Sequence, residues 1–340
     1  MIRSLFTVAL IALLAQSAAA QSPRIVTDSA GRQVELPERI ETVFAAGPPA
    51  AILLYVMAPD RMLGWPRANR PDEREFLAQP YADLPELGTL TDQGGEANLE
   101  RVVALEPNLI LDFGSVRDTY VDLANRVQAQ TGIPYVLIDG RFENTPTALR
   151  LLGEILGIPE RGETLAADAE ATFARIDALL ADIPEAYRPR AYLARRPDGL
   201  ESGVVGSINT EILERAGGIN VLGRSAAARG LVQVSFEALL AADPDVIVTW
   251  DRQFHESHRD DPLWSRMRAV QEGNVHLSPV LPFGWIDRPP SLNRIIGLDW
   301  MATVFFPDRY QIDLRERTRD FYRLWYHIDL SEDQLARLLP

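Results

Sequence analysis

Between Glu163 and Ile183 the larger apolar residues recur at Leu165, Phe173, Ile176, Leu180 and Ile183, with Ala169 on the same face. Spacings of three and four residues form the stripe of an amphipathic helix, and Asp168, Glu170, Arg175 and Asp177 take its other sides. Pro159 and Gly162 precede this run and Pro184 ends it. At 1.5 Å per residue the rod is about 31 Å long, enough to cross a small domain. On each side of it the pattern is the same: apolar strand, Gly/Pro-rich loop, helix, apolar strand. The pattern predicts an α/β protein of two lobes, residues 21–158 and 185–340, strapped together by a connecting helix in 159–184.

In the first lobe, Arg24 to Leu36 reads as a hairpin turning at Asp28-Ser29-Ala30-Gly31. A short buried strand, Ile40 to Ala45, feeds Ala46-Gly47-Pro48-Pro49 and a helix from Ala50 to Met57. A strand delivering the chain to a helix N-terminus through such a loop is a place to hold an anion or polar ligand, and equally a simple turn. Met62 to Trp65 reads as the next strand, leaving Trp65, Pro66 and Arg67 at its carboxyl end. Asn98 is placed to cap a two-turn helix with Glu100 in its first turn, where negative charge suits the dipole; Pro107 stops it before the strand Leu109 to Phe113. A helix over Val116 to Thr131, a strand Tyr135 to Ile138 and a helix Thr145 to Leu156 complete the lobe.

The second lobe opens with strand Arg190 to Leu193 and a helix from Asn209 to Ala216 that stops at Gly217-Gly218. Val234 to Thr249 then repeats the first lobe's sequence of polar cap, first-turn glutamate, two helical turns, acidic-Pro stop and apolar strand, so Glu237 takes the place of Glu100. Strand Val275 to Leu277 and helices Ser291 to Phe305, Leu314 to Tyr326 and Ser331 to Leu338 close the chain.

Composition narrows the partners. Met1 to Ala20 carries Arg3, an apolar stretch Leu5 to Leu14 and a small-residue cleavage site Ala18-Ala19-Ala20, the pattern of a secretory signal peptide. The 340 residues contain no cysteine, so neither a disulfide nor a lipid-anchored cysteine is expected; the mature chain should diffuse freely in the periplasm as a monomer. A formal net charge of −14 argues against nucleic acid and anionic membrane surfaces, and makes any arginine lining a cleft conspicuous. Of the four histidines, only His255 and His258, within the acidic stretch Asp251 to Asp261, sit beside carboxylates, and that stretch reads as a solvated loop. No Gly-x-Ser-x-Gly elbow, P-loop or His-Glu-x-x-His motif occurs, so no enzyme activity, cofactor or resident metal is expected. A non-transport scaffold stays open on motifs alone.

Asn98-Leu99-Glu100-Arg101-Val102-Val103-Ala104-Leu105-Glu106-Pro107, Gly217-Gly218-Ile219-Asn220-Val221 and Val234-Ser235-Phe236-Glu237 resemble, in order and spacing, segments of the class III (cluster A) periplasmic binding proteins of ABC importers. The resemblance covers nearly the whole mature chain. It implies two Rossmann-like lobes with the ligand in the cleft between them, and Glu100 and Glu237 docking onto arginines of an inner-membrane permease dimer. Cleft candidates at the strand ends are Gly47, Trp65, Arg67, Gly94, Gly95, Gly114 and Ser115 from the first lobe. The second lobe adds Arg195, Arg196, Ser207, Trp250, Trp285, Asp287 and Arg288, with Trp285 and Arg288 the pair singled out. Arginine forks suit carboxylate, catecholate or oxyanion groups, and tryptophan supplies flat apolar area beside them. A ferric siderophore or similar chelate is the ligand the resemblance favours; molybdate or tungstate, and cobalamin or haem, are the alternatives.

Overall fold

A computed structural model describes residues 24–91, 99–224 and 230–339. The expected signal peptide, Gly94, Gly95 and the capping Asn98 lie outside the described residues. The strands are β1 (Arg24–Thr27), β2 (Gln33–Leu36), β3 (Val43–Ala45), β4 (Leu109–Gly114), β5 (Tyr135–Asp139), β6 (Arg190–Ala194), β7 (Glu201–Gly203), β8 (Ile219–Asn220), β9 (Leu231–Gln233), β10 (Val246–Thr249) and β11 (Val275–Leu277). The first lobe holds a parallel sheet in the order β3-β4-β5. The second holds a parallel sheet in the order β11-β10-β6-β8. An antiparallel hairpin, β1-β2, and an antiparallel pair, β7-β9, flank them. β4, β5 and β10 are buried almost end to end, as strands covered on both faces must be.

The connecting helix runs Pro159–Ala181, starting four residues before the predicted onset. Pro159 is no barrier, because a proline in the first helical turn gives up an N–H that has no intrahelical partner anyway. Gly162 lies inside the helix for a packing reason. A Cβ there would stand 2.7 Å from the Leu149 carbonyl oxygen of helix Thr145–Leu156, against which the connector lies.

The connector's polar sides are also occupied. Asp168 accepts two hydrogen bonds from Arg317, each 2.9 Å, and one of 2.9 Å from Trp325 Nε1. Arg175 and Arg317 both pair with the fully buried Asp299, at 3.0 and 2.8 Å. Arg161 donates 2.7 Å bonds to the carbonyls of Val56 and Leu324, tying the connector to both lobes.

The lobes touch well beyond the connector. Tyr55 donates to the Tyr326 carbonyl at 2.6 Å, and Gln334 donates to the Glu75 carbonyl at 2.6 Å, so the last two helices lie against the first lobe. Arg294, 1% exposed, donates to Gly140 of the first lobe and Ile208 of the second. Its partner Glu211 accepts from the backbone N–H of Phe142 at 2.8 Å.

Four local expectations are corrected. Met62 to Trp65 forms only isolated bridges, Met62 to Val43 and Trp65 to Glu86, with Gly64 packed closely against Pro85 and Leu87. Helices predicted from Asn209 and Ser291 begin at Glu211 and Arg294, since turns precede each. The acidic stretch around His255 is a helix, Arg252–Ser257, capped by Asp251 Oδ1 accepting from the Phe254 N–H at 3.0 Å. His258 is 3% exposed beside Phe254, so this is not a solvated loop.

Candidate functional site

In both sheets the parallel strands point their carboxyl ends towards a hollow of about 810 Å³ walled by the two lobes. The crevice beyond the carboxyl ends of parallel strands is where α/β folds bind ligands. A second hollow of about 780 Å³ opens on the first lobe beside Pro107, Asn108 and Pro134, at the amino ends of β4 and β5, the opposite end of the sheet.

The first-lobe wall starts at Pro48, the first residue of helix Pro48–Met57, whose N-cap is Gly47. A Cβ on Gly47 would meet Thr91 Oγ1 at 2.5 Å, so the loop closes only with glycine. Prolines at the first two helical positions remove two of the N–H groups a helix N-terminus offers an anion, so anion binding falls to side chains here. Trp65, 3% exposed, lines the hollow; its Nε1 donates to the Tyr81 carbonyl at 2.8 Å and its ring lies 5.9 Å from Phe283. Arg67 also lines the hollow, gripped bidentately by Glu73 at 2.6 and 2.8 Å. Burial pushes the Glu73 carboxyl up, but hydrogen bonds from Arg67 and from the Arg70 backbone outweigh it and hold the group below the usual carboxylate range.

On the second-lobe wall, Trp250 follows β10 directly and is 9% exposed, with an Nε1 that is buried without a hydrogen-bond partner. The Arg288 guanidinium lies 4.6 Å from the Trp250 ring centroid. Arg288 is exposed, adopts φ 67° and has no ion pair among the described residues. The fully buried Asp287 before it accepts from Asn209 at 2.9 Å and faces Arg195 at 3.2 Å, which fixes the start of this loop.

Trp65, Arg67, Trp250 and Arg288 thus gather at one cleft, with Gly47 one residue outside its lining, whereas several other expected residues do not line it. Trp285 is fully buried, donating to the Tyr322 hydroxyl at 3.2 Å; its carbonyl faces Gly297, leaving the indole in the core. Arg195 lies behind Trp250, its side chain 13% exposed between Asp287 and Glu201. Arg196 turns to solvent and pairs with Glu201 at 2.8 Å. Ser207 is buried in the turn before helix Glu211–Arg215. Ser115 accepts from Arg117 at 3.0 Å. Gly114 ends β4, and Gly94 and Gly95 are outside the described residues.

Cleft residues that the sequence reading passed over are Arg70, Asp72 and Glu73 from the short helix region after Trp65, and Phe283, Leu281 and Arg252 from the second lobe. The Pro66-Arg67-Ala68-Asn69-Arg70-Pro71 run was the available signal.

Glu100 and Glu237 are exposed in the first turns of helices Leu99–Leu105 and Phe236–Ala242. Each helix leads into a parallel strand, so its N-terminus lies towards the strand's carboxyl end. Arg101 beside Glu100 donates to the carbonyl of Glu86, which bridges to Trp65. Val234, before the Glu237 helix, donates to the Leu200 carbonyl next to Glu201. Among the described residues no group of three His, Asp or Glu side chains is arranged to hold a metal ion, and no helix is long and apolar enough to cross a membrane.

Comparison with known proteins agrees with this architecture. The family model described as "Periplasmic binding protein" matches residues 46–279. The chain is 26% identical to the molybdate-binding protein MolA of Haemophilus influenzae, over 99% of each chain. It is 32% identical to a cobalamin-binding protein of Halobacterium salinarum over 46% of this chain and 41% of that one. Among solved structures, an ABC transporter solute binding protein from Sulfurospirillum deleyianum superposes with a TM-score of 0.83 at 28% identity, covering 93% of this chain and 99% of the other.

Proposed function

The chain belongs to the periplasmic binding protein family, in its class III branch of ABC importer components, and from that premise we propose that it captures a metal chelate, a ferric siderophore foremost, between its lobes. The observation that carries this reading is the unpaired Arg288 over Trp250 at the edge of a cavity of about 810 Å³. A guanidinium stacked on an indole still has its N–H edge free for a carboxylate, catecholate or hydroxamate oxygen. Trp65, Trp250 and Phe283 offer flat apolar area for the organic shell of such a chelate.

A second reading, a small oxyanion, is favoured by the end-to-end similarity to the molybdate-binding protein. The room in the cavity and its aromatic walls support the chelate instead, since a bare tetrahedral oxyanion would leave both unused. The cobalamin-binding relative matches less than half of this chain, and supports a bulky ligand only in general terms.

In this reading the mature protein starts at Gln21, is periplasmic without a lipid anchor, acts as a monomer and has no turnover of its own. Gly47, Trp65, Arg67, Trp250 and Arg288 form the ligand site, and Glu100 and Glu237 present the loaded protein to a two-fold permease. Buried ties such as Arg294 and Arg161 hold the two glutamates at a fixed separation. Titration of the purified protein with ferric chelates and with molybdate, followed by tryptophan fluorescence, tests the reading. Saturable quenching by a chelate that molybdate does not displace supports it; quenching by molybdate alone overturns it.

A further inference from the structure

The charges around the cleft are distributed unevenly between its walls. On the first-lobe wall, Arg67 and Arg70 share Glu73, whose side chain is 2% exposed. Its Oε1 accepts from Arg67 at 2.6 Å and lies 2.8 Å from Arg70 Nη2; its Oε2 accepts from Arg67 and from the Arg70 backbone N–H, both at 2.8 Å. Three hydrogen bonds and a further ion-pair contact thus engage that carboxylate. Asp72, 3.7 Å from Arg70, adds a second negative charge, so two arginines face two carboxylates. On the second-lobe wall Asp251 caps its own helix, Arg252 has an exposed contact to Glu256 at 3.7 Å, and Arg288 has no ion pair among the described residues. Among the described residues that line the cleft, the charges of the first-lobe wall cancel, whereas Asp251, Arg252 and Arg288 leave the second-lobe wall with one excess positive charge.

Resting on the chelate reading above, we infer that Glu73 sets the net charge of the solute this protein accepts. By occupying Arg67 and Arg70 it restricts the site to chelates of zero or low net negative charge, one anionic donor oxygen of which meets Arg288, and it disfavours trianionic complexes. A solute with several negative charges needs several unpaired cations to replace its hydration, and carboxylates in the wall repel it. Glu73 is a specificity-determining residue acting through the two arginines it holds. Its buried position and hydrogen bonds make the neutral wall a fixed property of the site, not one that a ligand can rearrange at low cost.

The test compares two ferric complexes of similar size, a neutral trihydroxamate and a trianionic tris-catecholate, by calorimetric titration of wild type, Glu73→Gln and Asp72→Asn. Glutamine keeps an acceptor for the Arg70 N–H while removing the charge; Asp72→Asn leaves the buried group untouched. Wild type should prefer the trihydroxamate. Glu73→Gln should raise the ratio of tris-catecholate to trihydroxamate affinity by about tenfold, and Asp72→Asn should shift it the same way by about threefold. Equal binding of both complexes by wild type, or a ratio unchanged in both variants, overturns the inference and leaves the chelate reading standing. No saturable binding of either complex by any form overturns the chelate reading and the inference with it.

Discussion

Arg288 and Trp250 come from separate loops, one after β10 and one before helix Arg294–Phe305, and meet with 4.6 Å between guanidinium carbon and ring centroid at the cleft edge. The contact depends on a left-handed backbone at Arg288, a conformation that costs an L residue about 1–2 kcal/mol. The buried Asp287 beside it helps impose that conformation.

Replacing Arg288 should therefore separate stability from binding. Arg288→Ala and Arg288→Gly should each weaken ligand binding by about ten- to hundredfold, roughly the 1.5–3 kcal/mol of a charge-assisted hydrogen bond. Glycine adopts φ 67° without strain, so the Gly variant should be more stable than the Ala variant by about 1 kcal/mol in urea unfolding. Equal affinity in wild type and both variants would move the site elsewhere.

Trp285→Ala should behave differently from Trp250→Ala. Trp285 is fully buried in the core, so its removal should cost about 3–5 kcal/mol of stability. Trp250→Ala should lower affinity with a smaller loss in stability, because Trp250 lines the cleft. Calorimetric melting alongside ligand titration distinguishes them; a Trp285 variant of wild-type stability would show that the core has been misassigned.

Much of the architecture was legible in the sequence, and the reason is periodicity. Short apolar runs at Leu109–Leu111, Tyr135–Ile138 and Val246–Val248, bounded by turn signals, predict strands covered on both faces, and the structure has strands there. The stripe from Leu165 to Ile176 marked the connector, although Pro159, read as preceding the helix, is its first residue. Orientation was less legible. Trp250 and Trp285 look alike in sequence, and only the packing of Trp285 on Tyr322 decides that one is core and the other lines the cleft. Arg67 was visible but its neutralisation was not, because Pro71–Arg74 is one helical turn and leaves no periodic trace. Arg196 was indistinguishable from Arg288 until Glu201 was seen to hold it at the surface.

Asp112 should give the protein a distinctive pH profile. Burial pushes its carboxyl up to about 6, only partly opposed by the hydrogen bond from Tyr135 at 3.0 Å. The folded state then keeps a proton that the unfolded chain releases near pH 4, so stability falls as pH rises from about 4 to about 6, by up to about 3 kcal/mol. His255, His276 and His327 are pushed down by burial and act with the opposite sign as pH falls below their usual range. Asp112→Asn isolates the carboxyl: the variant should be more stable at neutral pH, with the difference from wild type vanishing below about pH 4. A pH-independent difference would contradict this.

Docking should depend on both lobes. A single exposed ion pair contributes on the order of 1 kcal/mol or less, so Glu100→Arg or Glu237→Arg alone should reduce uptake only modestly. The double reversal should abolish uptake in cells while ligand affinity of the purified protein stays at the wild-type value. Normal uptake by the double variant, or collapse of ligand binding, would remove the docking role.

The most direct measurement is native mass spectrometry with metal analysis on wild type and Arg288→Ala, each purified from the periplasm without refolding. Wild type should retain an organic adduct carrying an equimolar metal ion, and Arg288→Ala should be largely free of it. An adduct of bare molybdate, or the same chelate held equally by both proteins, would contradict capture of a metal chelate at Arg288 and Trp250.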